Sequence, residues 1–178
     1  MLKIIAVVAI VVVVAIVVLL GYAATRPDHF RIARSTMIAA PPDRIYALLD
    51  DFHKWGAWSP YEKLDPAMSR TYGGPASGLG STYAWSGDGK AGAGRMEIVE
   101  AAAPSKLVID LDFTKPFQSR NKTVFTLVPE GGATRVTWAM EGPSPFPFRV
   151  MDVIFNMDKM AGKDFETGLA SLKAEAEK

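Results

Sequence analysis

From Ile4 to Leu20 every side chain is Ile, Val, Ala or Leu, and the uncharged stretch continues through Gly21-Tyr22-Ala23-Ala24. Nothing else in the chain constrains folding so strongly. At about 1.5 Å per residue, this segment spans roughly 31 Å as a helix, close to a hydrocarbon core about 30 Å thick. A helix at the surface of a water-soluble domain keeps a polar side, and this one has none. In lipid the backbone must pair internally, so the many valines are no obstacle to a helix. The competing reading is a cleaved secretory signal, whose apolar region runs about 7–15 residues and closes on a small-x-small site. Here the run is longer and the site is poor. Residues 1–25 are therefore expected to be an uncleaved single-pass anchor, crossing the membrane through residues 4–24, with residues 26–178 as one domain. Lys3 flanks one end of the span, and Arg26, Arg31 and Arg34 flank the other. These charges and the short N-terminal flank point in opposite directions, so the side of the membrane stays open.

Composition narrows the function of the domain. The chain has no cysteine and two histidines, which excludes a disulfide framework, a thiol nucleophile and a three-histidine metal site. Of 20 basic and 19 acidic residues, only Lys3 precedes Arg26, so the domain is electrically neutral. That balance gives no electrostatic case for nucleic acid. No cofactor is expected.

Phe30–Ile38 alternates as a first strand. Pro41-Pro42-Asp43 then opens a helix, with proline in the first turn and an acidic residue at the positive end of the dipole. Its apolar face is Ile45, Leu48, Leu49 and Phe52. Trp55-Gly56-Ala57-Trp58-Ser59-Pro60 breaks the helical period and reads as a short turn or loop. From about residue 67 the period becomes two, cut by glycine and proline into Met68–Tyr72, Ser81–Ser86, Arg95–Glu100, Lys106–Phe113, Lys122–Val128 and Thr134–Met140. Six short strands in series predict an antiparallel meander with one wet face. After the prolines at 143, 145 and 147, the helical period returns. One broad stripe of Phe148, Met151, Phe155, Met160, Phe165, Leu169 and Leu172 predicts a long C-terminal helix across the concave face of the sheet.

Three stretches carry a resemblance. They are Ala39–Phe52 followed by Lys54-Trp55-Gly56-Ala57-Trp58-Ser59-Pro60, then Gly78–Trp85, and the closing Phe165–Lys173. Over residues 30 to 175 the chain resembles the polyketide cyclase/dehydrase branch of the START-like (SRPBCC) superfamily. The resemblance implies an α+β helix-grip fold: a curved antiparallel sheet around a long C-terminal helix, here preceded by one transmembrane helix. It also implies an apolar cavity for a lipid or other hydrophobic small molecule. Family members include enzymes, carriers and modules without a ligand, so fold alone does not choose among them.

The candidate lining residues are Trp55, Trp58, Tyr83, Trp85, Phe113, Phe125, Trp138, Met151, Phe155 and Met160. Each taken singly reads first as core. Together, the methionines and the glycine-rich sheet point to a core that is not filled. Arg95, Thr82, Thr123 and Tyr83 are the polar candidates, with the face of each left open. No constellation for catalysis emerges. Asp110 and Asp112 alternate with Leu107, Ile109, Leu111 and Phe113 and should face solvent. His53 has no serine or carboxylate placed with it and reads as a solvent-facing helix-terminal residue. Gly87-Asp88-Gly89-Lys90-Ala91-Gly92 spells G-x-G-x-x-G, but strands on both sides make it a hairpin turn, not a phosphate cradle. The main expectation is a membrane-anchored domain binding a hydrophobic small molecule or lipid. The alternatives are a cyclase, dehydratase or hydrolase using the same cavity, and an interaction module with a filled core.

Overall fold

Period-two alternation becomes sheet because each strand has one apolar row to bury. The computed structural model describes residues 1–87 and 91–178, Leu2 by its backbone alone. The apolar N-terminal run forms α1 (Leu2–Thr25), a helix long and apolar enough to cross a membrane. Three residues later the chain enters β1 (His29–Ile38). The helix α2 (Pro42–Leu49) buries Ile45, Tyr46 and Leu49. After it come β2 (Ser69–Gly73), β3 (Thr82–Ser86), β4 (Ala93–Ala102), β5 (Lys106–Lys115), β6 (Ser119–Glu130) and β7 (Ala133–Pro143). Every strand expected from the sequence is present: β2 is displaced by one residue, β3 starts one residue later, and the other five are longer by one to five residues.

Among the described residues the seven strands form one antiparallel sheet in the order β1-β7-β6-β5-β4-β3-β2. Consecutive strands pair from β2 to β7, and β1 closes against β7. The helical connection after β1 therefore carries the chain from one edge of the sheet to the other. Two register shifts between β4 and β5, at Ala93/Gly94 and at Ile98/Glu100, add the local twist that bends a sheet into a trough. Asp110 and Asp112 lie on its outer face, ion-paired with Lys122 and Arg120 across β6. The turn expected at Asp88-Gly89 lies outside the described residues. β3 ends at Ser86 and β4 begins at Ala93, so strands flank that glycine-rich stretch.

Two elements differ from expectation. The tryptophan segment, expected as a short turn or loop, is a chain of helical turns: a 3-10 turn at Phe52–Lys54, α3 (Trp55–Trp58), and a second 3-10 turn at Pro60–Lys63. The indoles themselves wind it. Trp55 Nε1 donates to the Leu49 carbonyl at 2.9 Å and Trp58 Nε1 to that of Leu48 at 3.1 Å, satisfying orphan carbonyls at the end of α2.

The C-terminal helix is also divided, into α4 (Phe146–Phe155) and α5 (Met157–Ala176). Asn156 stands between them at φ 51°, a left-handed conformation that asparagine tolerates better than most residues. Its side chain accepts from the Lys159 amide at 3.0 Å, so the residue that ends one helix caps the next. The buried stripe is confined to α5: Gly162, Phe165, Gly168, Leu169, Leu172 and Ala176. α5 packs against β1 and α3. Arg34 of β1 binds Asp158 and Glu166, and Lys173 Nζ donates to the Met37 carbonyl at 2.8 Å.

Candidate ligand cavity

Between α5 and the concave face of the sheet lies a cavity of about 300 Å3. Its floor comes from inward rows of the strands: Tyr83 and Trp85 of β3, Met96 of β4, Leu111 and Phe113 of β5, Thr123 of β6, and Trp138 and Met140 of β7. Phe165 and Asp164 of α5 close one side, and the segment from Trp55 to Met68 closes another. Small residues make the close approaches possible. A Cβ at Gly94 would stand 2.5 Å from the Trp85 ring, and one at Gly168 would stand 2.7 Å from that of Trp138. Glycine at 94 lets the Trp85 indole lie flat across β4, and glycine at 168 lets α5 sit down on Trp138. Trp138 then stacks on Phe165 with ring centroids 4.3 Å apart.

Of the ten candidate residues, five line this space: Trp55, Tyr83, Trp85, Phe113 and Trp138. Trp58 and Phe125 are fully buried but lie in the packed aromatic cluster beside it, centroids 6.0 Å apart. Met151, Phe155 and Met160 do not line it. They are 39%, 56% and 56% exposed, because the break at Asn156 separates α4 from the buried stripe and Met160 falls on the outer side of the first turns of α5. Of the polar candidates, Thr123 and Tyr83 reach the cavity. Arg95 is exposed and paired with Glu97, and Thr82 lines a separate surface depression. His53 is exposed, holds Asp51 at 3.0 Å and stacks on Tyr72.

The polar group that sequence reasoning missed is Glu62. Its side chain is 10% exposed. Tyr83 donates its phenolic proton to Oε1 at 2.5 Å, and Arg70 Nε donates to Oε2 at 2.7 Å. Arg70 also holds the carbonyls of Glu62 and Met68. The three residues come from a turn and two neighbouring strands, and no local spacing in the sequence links them. Burial, followed by the bond to Glu62, pushes the Tyr83 phenol well above its ordinary range. The Tyr61 phenol is raised too, first by burial and then by the charge of Asp164. Both therefore keep their protons through the physiological range. Glu62 and Tyr83 are engaged with each other, and the trio braces the cavity wall. Among the described residues, no group of three His, Asp or Glu side chains is placed to hold a metal ion. The Trp138 indole N–H is buried without an acceptor.

The fold recurs among solved structures of low sequence identity. A protein from Chromobacterium violaceum, CV1439, superposes with a TM-score of 0.58 at 15% identity, covering 86% of this chain and 99% of its own. Protein Ms6760 from Mycobacterium smegmatis gives 0.57 at 21% identity, covering 81% and 88%. A protein from Thermobifida fusca gives 0.58 at 20% identity, covering 82% and 92%. These likenesses show the fold alone. No curated protein matches the chain. The sequence model of one family, described as polyketide cyclase / dehydrase and lipid transport, matches residues 29–177, from the first residue of β1 to one residue past the end of α5. With that match over the whole domain and a helix-grip architecture around an aromatic cavity, the chain belongs to the polyketide cyclase/dehydrase and lipid transport family.

Proposed function

We propose that the chain is a membrane-anchored binding protein that holds a hydrophobic small molecule or lipid in the cavity beneath α5. One observation carries this reading: a space of about 300 Å3 inside a core whose neighbouring side chains are otherwise packed. Protein interiors leave few voids larger than a water molecule, and this volume is at the lower end of small-molecule sites. Most of what a ligand meets is aromatic and aliphatic surface, with Ser59, Thr123, Asp164 and the Glu62–Tyr83 pair as polar groups in the lining. Anchoring is supported by α1, which carries apolar side chains exposed on all sides over most of its length. In this reading a bilayer covers them.

The experiment is mass spectrometry of the full chain extracted from membranes. A stoichiometric apolar molecule retained by the protein, and lost when Leu111 is replaced by Trp, is the expected result. Recovery of the protein without any such molecule, and no uptake of apolar probes, would defeat the binding reading. Intact mass tests the anchor: the expected species retains residues 1–25, and a mature species beginning near Thr25 would defeat it.

A further inference from the structure

The helix α4 is turned inside out relative to an ordinary surface helix. Such helices bury their apolar side and give their polar side to water. In α4 it is Arg149 and Asp152 that face the protein. Arg149 donates to the carbonyls of Ala24 and Arg26 at 3.3 and 3.0 Å. Asp152 pairs with Arg26 at 3.5 Å. Met151, Ile154 and Phe155 point away from the domain, with Ile154 54% exposed. Phe117, in the β5–β6 loop, extends the patch: it lies 6.5 Å from Phe148 of α4 and is 62% exposed.

Position decides what covers this face. α4 packs against α1, and Ala23 in the last turn of α1 is fully buried. α4 therefore stands level with the end of the apolar run. Only Arg26, Pro27 and Asp28 separate α1 from β1, a tether of about 10 Å at most. A domain held so closely cannot keep this end away from a bilayer that α1 crosses. Resting on the anchored reading above, we propose that α4 and Phe117 form an interfacial docking surface. Met151, Ile154, Phe155 and Phe117 lie in the headgroup layer of the same membrane, as an in-plane amphipathic helix does. The inward Arg149–Asp152 side locks α4 to the end of the anchor, so helix and span act as one foot for the domain. Lys115, exposed and two residues before Phe117, is placed to reach lipid phosphates from the edge of the patch.

Because the chain has no cysteine, single labels test this directly in the full-length protein. Ile154→Cys, Val12→Cys and, as a control, Val128→Cys at the far end of β6 each receive an environment-sensitive fluorophore. The proteins are reconstituted in vesicles of phosphatidylcholine and phosphatidylglycerol carrying brominated acyl chains. Expected is strong quenching at Ile154 by lipid brominated near the headgroup, at Val12 by lipid brominated deep in the chain, and none at Val128. Quenching at Val12 with a bright Ile154 label would overturn the docking surface and leave the anchor standing. Quenching at Ile154 but not at Val12 would remove the anchor and retain α4 as a lipid-binding face. Quenching at neither removes both. If Ile154 responds to protein density but not to brominated lipid, a second copy covers the patch and the proposal is wrong. Introducing Met151→Ser and Phe155→Ser with the Ile154 label should weaken its quenching and leave the melting temperature unchanged, since neither side chain is buried.

Discussion

Trp138 is where packing and chemistry conflict most sharply. Its ring contacts Trp58, Tyr61, Phe125 and Phe165, while its N–H is buried without a partner. Removing the ring and removing the N–H should therefore have unequal effects. Trp138→Ala is expected to cost about 3–5 kcal/mol, the usual loss for a buried aromatic. Trp138→Phe keeps most of the contact and deletes an unsatisfied donor whose burial costs about 1–3 kcal/mol, so it should be much milder. Urea denaturation of both variants distinguishes these outcomes; equal losses would mean that the N–H does find an acceptor. The tyrosines make a pH prediction. Burial holds the Tyr83 and Tyr61 phenols above their ordinary value of 10.0. Above pH 10 the unfolded chain releases these protons and the folded chain keeps them. Stability should be fully present below pH 10 and fall as pH rises beyond it, by up to about 1.4 kcal/mol per pH unit for each phenol. Tyr61→Phe should flatten that slope; an unchanged alkaline limb in denaturation curves at pH 9–11 would mean the phenol is not buried.

At the scale of elements, Asn156 does the work that the apolar stripe concealed. Phe148, Met151 and Phe155 continue the helical period into Met160 and Phe165, so the pattern alone reads as one helix. The backbone turns at Asn156 instead, and the two halves take different surroundings. Asn156→Ala should cost about 1–2 kcal/mol, from a left-handed residue with a Cβ and from the lost cap. Asn156→Gly restores the conformation without the cap and should cost less. Thermal unfolding of the pair checks the ranking, and an Ala variant as stable as the parent would mean that α4 and α5 can run straight. The break also sets the outcome of Phe155→Trp. On an exposed helix face it should affect neither stability nor probe uptake, in contrast to a substitution on the cavity floor.

For the whole molecule, the two properties to separate are a filled core and an unfilled one. Leu111→Trp places extra volume on the floor of the cavity. In a packed core such overpacking costs about 1–3 kcal/mol. Over an open cavity it should cost less than that and instead reduce binding of an apolar fluorescent probe. Calorimetry and probe titration on the same preparation decide between them, and a large loss of stability with unchanged probe uptake would indicate an ordinary core. Deleting residues 1–25 should leave the sheet and α5 folded. α1 packs chiefly on α4, so circular dichroism of the truncated chain should retain the sheet signal. The same deletion uncovers the inward side of α4, so α4 should exchange its amide protons faster than α5.

The sequence by itself determined the apolar span, the seven strands, the helix after β1 and the helical C-terminal region, because each of these is a periodic or compositional property of contiguous residues. Ile45 and Leu49, or Leu107, Ile109 and Leu111, share a face whatever they pack against. It also placed the glycines that a close approach would need, without saying what approaches. The tertiary structure decided the site. A cavity is the place where faces of separate elements fail to meet, so Trp55 and Trp138 line it while Trp58 and Phe125, equally aromatic and equally buried, do not. Glu62, Arg70 and Tyr83 converge because β2 and β3 pair, and the turn before them folds back over their inner face; their spacing along the chain carries no trace of it. The direction of α4 was likewise beyond the pattern. Periodicity tells which residues of a helix stand together, and only the contacts of Arg149 with the end of α1 decide that its charged side faces inward.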